Sequence, residues 1–220
     1  MSPRKSVAEA LSTRAAILER SVAIASAEGL EGLTIGRLAG ELGMSKSGVL
    51  GHFGSKETLQ LAVLDRAGEI FRAEVWEPAR PAAPGLARLR VLCEAWISYL
   101  ERGVFPGGCF FVAAAHEFDG RPGPVRDAVE ARFDAWRGRL RKEAGRAVDA
   151  GELPGGTDPD QVAFELLGAV MALNHALQLH HDPRAPELAR RTVQARLGRP
   201  AAVTGQVHRD PPEPTTAPER

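Results

Sequence analysis

The stretch from Thr34 to Glu57 constrains this chain more than any other. Within it three hydroxyl residues each stand just before a short apolar pattern. Thr34 precedes Ile35, Leu38, Ala39 and Leu42; Ser45 precedes a run ending near Phe53; Ser55 precedes Leu59, Ala62, Val63, Ala67, Ile70 and Phe71. A hydroxyl in that position marks a helix start, because its oxygen accepts one of the amides that a first helical turn leaves unpaired. Gly43 breaks the first run. The spacing therefore predicts two short helices meeting through a glycine turn, then a longer helix that Pro78 stops after Trp76. A preceding helix begins at Thr13, carries Ile17, Leu18, Val22 and Ala25 on one face, and ends at Gly29. Ala39 is small enough to let the pair approach, and Leu38, Leu42, Val49 and Phe53 are placed to lock it onto the helix before.

With those residues turned inward, the helix after Gly43 has few apolar residues left, and its outward positions carry Ser45, Lys46, Ser47, Gly48 and His52. In a helix-turn-helix, the N-terminal end of the second helix meets base edges in the major groove, while nearby hydroxyls, amides and cations hold phosphates. Gly48 and Gly51 each weaken a helix by about 1 kcal/mol relative to alanine. Close approach to a DNA backbone is a reason to carry no side chain there.

These residues resemble the tetracycline-repressor (TetR) family over about positions 13 to 64: Ala39 and Gly43 at the turn, Ser45-Lys-Ser-Gly-Val-Leu50-Gly-His52-Phe53, then Ser55-Lys56-Glu57. The chain departs from the family where Leu50 or Gly51 stands in place of a frequent aromatic residue, which implies fewer contacts with DNA at that point. The resemblance implies a DNA-contact set of Thr34, Ser45, Lys46, Ser47, Gly48, His52 and Lys56. Lys46 and Ser47 are the base readers in this reading, and Thr34, His52 and Lys56 the phosphate ligands. It further implies an all-α protein that represses transcription as a homodimer on double-stranded operator DNA and is released by a small-molecule effector.

The remainder of the chain reads as helical. Leu89, Leu92, Trp96 and Leu100 share one helix face; Val125, Val129, Phe133, Trp136 and Leu140 share another. The segment Pro78 to Gly85 reads as a loop, and a helix follows the glycines at 107 and 108. Asp158-Pro159-Asp160-Gln161 opens a helix running to about Leu179 that is apolar around most of its circumference. One of its faces is left for a symmetry mate, in a four-helix bundle with a last helix at 184 to 197. Phe164, Leu167, Met171, Val193 and Leu197 are the expected dimer contacts. The organisation expected is a loose arm over 1–12, a DNA-binding domain over 13–58, a ligand-binding and dimerisation domain over 59–197, and a disordered tail over 198–220.

An effector pocket belongs among the helices of that second domain. Candidates to line it are Trp96, Tyr99, Cys109, Phe110, His116, Phe118, Met171, Asn174 and His175. Cys109 at a helix start also raises a redox-sensing alternative, opposed by its neighbours Phe110 and Phe111. A helical protein-interaction module without operator binding is the other alternative. His175, His180, His181 and the pair His116–Glu117 lack the same-face spacing of a metal site, and Cys109 with His116 lacks a third orienting group, so neither a metal, a cofactor nor catalysis is expected. With 28 basic and 28 acidic residues the formal net charge is +0, so DNA binding must come from a local surface rather than bulk basicity. No run is read as crossing a bilayer, and a cytoplasmic location is expected.

Overall fold

A computed structural model describes residues 7–198, and the regular structure among the described residues is all helical, without strands. The first helix, α1 (Val7–Gly32), starts six residues before the expected Thr13. The helix therefore takes up residues 7–12 of the expected arm; residues 1–6, and the expected tail beyond Gly198, lie outside the described residues. Gly29 breaks α1 with φ 83°, a left-handed value natural to glycine.

The three predicted caps form. Thr34 Oγ1 accepts the Arg37 amide at 3.2 Å to open α2 (Ile35–Glu41). Ser45 Oγ accepts the Gly48 amide at 3.0 Å to open α3 (Lys46–Phe53), and Ser55 Oγ accepts the Thr58 amide at 3.0 Å to open α4 (Lys56–Phe71). Each such cap is worth about 1 kcal/mol relative to alanine. Gly43 turns the chain between α2 and α3 with φ 62°. Leu38, Val49 and Phe53 are buried, as expected, while Leu42 is half-buried. On the outside of this unit Arg20 and Arg37 both pair with Glu41, and Arg37 also with Glu28, which ties α2 to α1.

Pro78 does not stop α4. The helix passes through a π-turn at Arg72–Trp76 into the short α5 (Glu77–Ala79), where proline occupies the opening turn and its missing amide removes no needed hydrogen bond. The expected domain boundary at residue 58 also falls inside α4, which runs unbroken across it.

Five helices complete the body: α6 (Leu86–Glu101), α7 (Phe110–Phe118), α8 (Pro124–Asp149), α9 (Pro159–His180) and α10 (Ala185–Leu197). By length and composition α9 is apolar enough to cross a membrane, contrary to the sequence expectation. Here it packs against α6, α8 and α10, burying Val162, Leu166, Val170 and Leu173. Its opposite face leaves Phe164 72% exposed and Met171 39% exposed, and on α10 Leu188 is 49% exposed.

Two glycines before α7 allow close approaches that no side chain would permit. A β-carbon on Gly107 would stand 1.6 Å from the Ser26 carbonyl oxygen of α1, and one on Gly108, at φ 79°, would stand 2.3 Å from Asn174 Oδ1 of α9. Asn174 accepts the Cys109 amide at 2.7 Å, fixing the start of α7. The other end of α7 returns to α1, where the Glu117 carboxylate accepts the amides of Leu30 and Glu31. α7 is thus attached at both ends to the helix that carries α2 and α3.

Candidate nucleic-acid interface and effector cavity

The candidate reading surface is built from the starts of α2 and α3. Because Thr34 and Ser45 each cap a third-position amide, the earlier amides of both helices remain available to an anion, at the positive end of the helix dipole. Ser45, Lys46 and Ser47 are exposed, and the Ser45 and Ser47 hydroxyls lie 3.1 Å apart. The Lys46 stem crosses Gly36 of α2, its Cε 3.1 Å from where a β-carbon there would stand. Arg37 and Lys56 are committed to ion pairs, whereas Lys46 has none among the described residues. Gly48 is half-buried and a β-carbon on it would press on Ser45 Oγ at 3.1 Å, so part of its role is local packing beneath the cap. Gly51 and Leu50 are exposed.

Two members of the expected DNA-contact set are placed differently from the rest. Lys56 Nζ donates to the Glu31 carbonyl at 2.9 Å and to its carboxylate at 3.1 Å. Gln60 and then Lys56 hold the Glu31 carboxyl below its ordinary pKa. Lys56 therefore fastens α4 to the end of α1. His52 is half-buried, its ring tilted against Phe53. Arg14 of α1 lies over the Phe53 ring at 4.9 Å, a neighbour that the sequence reading did not single out.

In the body, a cavity of about 180 Å³ is lined by Gly68 and Phe71 of α4, Trp96 of α6, Cys109 and Phe111 at the start of α7, and Arg132, Phe133, Ala135, Trp136 and Arg139 of α8. Phe71 ties the surrounding rings together. The Phe71 ring makes edge-to-face contacts with Trp96 at 5.7 Å, Tyr99 at 5.6 Å, Phe111 at 6.1 Å and Trp136 at 4.9 Å. Such pairs add about 0.5–1.5 kcal/mol each beyond their buried area, so the walls are firm. The Trp136 indole N–H is buried without a hydrogen-bond partner among the described residues.

Of the nine residues expected to line a pocket, Trp96 and Cys109 do so, and Tyr99 stands one ring behind. Phe110 and Phe118 are buried core residues away from the lining. Asn174 is committed to the Cys109 amide, and His116, Met171 and His175 face outward. Gly68, Phe71, Phe111, Arg132, Trp136 and Arg139 are lining residues missing from the expected set. Arg132, Trp136 and Arg139 at i, i+4 and i+7 do mark one helix face in the sequence. Nothing in the sequence shows that this face meets Phe71 of another helix.

The expected dimer set divides as well. Phe164 and Met171 are exposed and Leu167 is half-buried, but Val193 and Leu197 turn inward, where α10 packs on α6. Burial also removes the premise of the redox alternative. It pushes the Cys109 thiol above its ordinary pKa, against the opposing pull of the Val112 and Phe111 amides and the Trp96 indole. Among the described residues no cluster of histidine, cysteine or carboxylate could hold a metal ion.

Comparison with known proteins covers both halves of the chain. Residues 17–63 match the family described as bacterial regulatory proteins, tetR family, and residues 85–193 match the tetracyclin repressor-like C-terminal domain. No curated protein matches the chain. Among solved structures, a TetR transcriptional regulator from Chloroflexus aurantiacus J-10-FL is similar with a TM-score of 0.79 and 24% identity, covering 86% of this chain and 96% of that one. A TetR-family regulator from Streptomyces coelicolor is similar with a TM-score of 0.71 and 26% identity, over 84% of this chain and 93% of that one. AibR, solved in complex with isovaleryl coenzyme A and operator DNA, has a TM-score of 0.67 and 24% identity, over 83% of this chain and 96% of its own.

Proposed function

Since the chain belongs to the TetR family of DNA-binding transcription regulators, and so is not an enzyme, we propose that it is a homodimeric repressor of the cytoplasm that holds operator DNA until a small molecule enters the body. The observation that carries this reading is shared construction: the helices that wall the cavity are the helices that hold the reading surface. α4 contributes Gly68 and Phe71 to the cavity, and at its other end Lys56 and Gln60 are bonded to Glu31 and Leu30 of α1. α7 contributes Cys109 and Phe111, and reaches α1 through Gly107 and Glu117.

Contact with DNA is assigned to the exposed starts of α2 and α3. Thr34, Ser45, Lys46 and Ser47 are the contacting residues; Gly48 supports the cap, and His52 and Lys56 lie at the margin. The neutral whole-chain charge fits a local contact of this kind. The exposed Phe164, Met171 and Leu188 are assigned to the partner subunit, because two-fold pairing of α9 and α10 would cover them and set two α3 helices at half-sites roughly 34–36 Å apart. A ligand releases DNA only if it binds more tightly to the form that does not fit the operator, and linkage then requires DNA to weaken ligand binding by the same factor. That an effector-bound structure exists for AibR, a relative of the same fold, agrees with a ligand-controlled reading.

The test is selection of random DNA by the purified protein at one fixed salt concentration. Recovery of a near-palindromic site with regularly spaced half-sites is the expected result. Recovery of no enriched sequence would remove the operator-binding reading.

A further inference from the structure

The cavity does not stand alone on the surface of α8. Ala135 and Arg139 line it and also line a second, adjacent groove, whose remaining walls are Trp76, Arg88, Gly138, Lys142, Glu143 and Arg146. Here the chemistry changes. Four cations face one carboxylate, and that carboxylate is already spent: Glu143 accepts the Gly85 amide at 2.8 Å and pairs with Arg146 at 2.8 Å and Arg88 at 3.6 Å. Arg139 stacks on Trp76 at 3.8 Å and, like Lys142, has no ion pair among the described residues. From Arg132 to Arg146 the shared face of α8 extends about 21 Å at 1.5 Å per residue.

We infer that the effector is a compact apolar group carried on a phosphorylated tail, the chemistry of an acyl thioester of coenzyme A, with the acyl group in the aromatic cavity and the phosphates along Arg139, Lys142 and Arg146. This rests on the ligand-released reading above and names the class of ligand. Size supports the acyl end: a dry cavity of about 150 Å³ accommodates benzene, so the space among Phe71, Trp96, Phe111 and Trp136 suits an aromatic or branched group of similar bulk. Trp136, one of the residues lining that end, keeps its indole N–H buried without a hydrogen-bond partner among the described residues. A free hydrophobic acid would leave the strip of cations unfilled, and a free nucleotide would leave the aromatic box empty.

Calorimetric titration of the full chain tests the assignment with phenylacetyl-, benzoyl- and 3-methylbutanoyl-coenzyme A as thioester probes, against the corresponding free acids and coenzyme A. The expected result is that at least one thioester binds ten or more times more tightly than its free acid and than coenzyme A. In the exposed double variant Arg139→Glu/Lys142→Glu, thioester affinity should fall at least tenfold and lose much of its salt dependence, with thermal unfolding near that of the parent. Failure of all three thioesters to bind, or a free acid binding as tightly as its thioester, would overturn the inference. Operator binding measured in parallel separates this from the parent reading. Operator binding with no thioester binding removes the ligand class alone, whereas thioester binding that leaves the operator complex intact keeps the site and removes the release mechanism.

Discussion

Glu117 occupies the space that Gly29 leaves open. Its carboxylate lies 2.8 Å from where a β-carbon on residue 29 would stand, and accepts the Leu30 amide at 2.7 Å and the Glu31 amide at 2.8 Å. The break in α1 and the end of α7 are therefore one joint.

Disturbing that joint should uncouple the two halves of the molecule. Gly29→Ala combines a left-handed backbone with a collision against Glu117, and is expected to cost about 1–3 kcal/mol, read as a lowered midpoint in denaturant. Glu117→Gln exchanges one accepting oxygen for a donor that faces an amide. Its operator affinity without ligand should stay within a few fold of the parent, while the loss of affinity on adding ligand shrinks. An undiminished ligand response in Glu117→Gln would show that α7 does not carry the signal.

Lys46→Ala removes the cation at the start of α3 that has no ion pair among the described residues. Operator affinity should fall about ten- to a hundredfold with relaxed preference at one base position. If binding weakens equally on all sequences and the salt slope drops by about one, Lys46 holds a phosphate instead. Lys56→Ala, by contrast, should lower thermal stability more than it lowers operator affinity, because Lys56 is bonded to Glu31.

Both thiols should resist alkylation in the native protein and react once it is unfolded. Burial, with Glu94 nearby, pushes Cys93 up to about 12 from an ordinary 9.0. A group whose folded pKa is raised keeps its proton longer when folded, so its contribution to stability is complete below about pH 9 and is lost between pH 9 and 12. Denaturant midpoints measured across that window should fall, and Cys93→Ser should flatten part of the fall. Fast labelling of Cys109 at neutral pH would revive the redox alternative.

Phe164→Glu and Leu188→Glu place charges on the exposed faces of α9 and α10. Each should shift the protein towards monomer in sedimentation and abolish binding to a two-half-site operator at concentrations where the parent binds. A dimer unaffected by both would place the interface elsewhere.

Local chemistry was legible in the sequence and convergence was not. Thr34, Ser45 and Ser55 announce three helix starts because a cap is a contact within three residues. Gly43 announces a turn for a similar reason. The lining of the cavity depends on α4, α6, α7 and α8 meeting, and Phe71 or Trp136 looks the same in a sequence whether it seals a core or walls a void. Pro78 misled because a proline ends a helix only where its missing amide is needed, and the π-turn at Arg72–Trp76 places it at a fresh helical start. Val193 and Leu197 misled because apolar residues on α10 serve its own subunit first.

The unbroken course of α4 past residue 58 gives the molecule a lever. From Phe71 at the cavity to Lys56 at the reading head the helix is about 22 Å long, at 1.5 Å per residue. A tilt of about 5° pivoting on the aromatic box would move the far end by about 2 Å, and the two-fold symmetry of the proposed dimer would double the change in separation. Against half-sites that repeat only every 34–36 Å or so, about 4 Å is enough to put one reading helix out of step with its groove while neither subunit loses its fold.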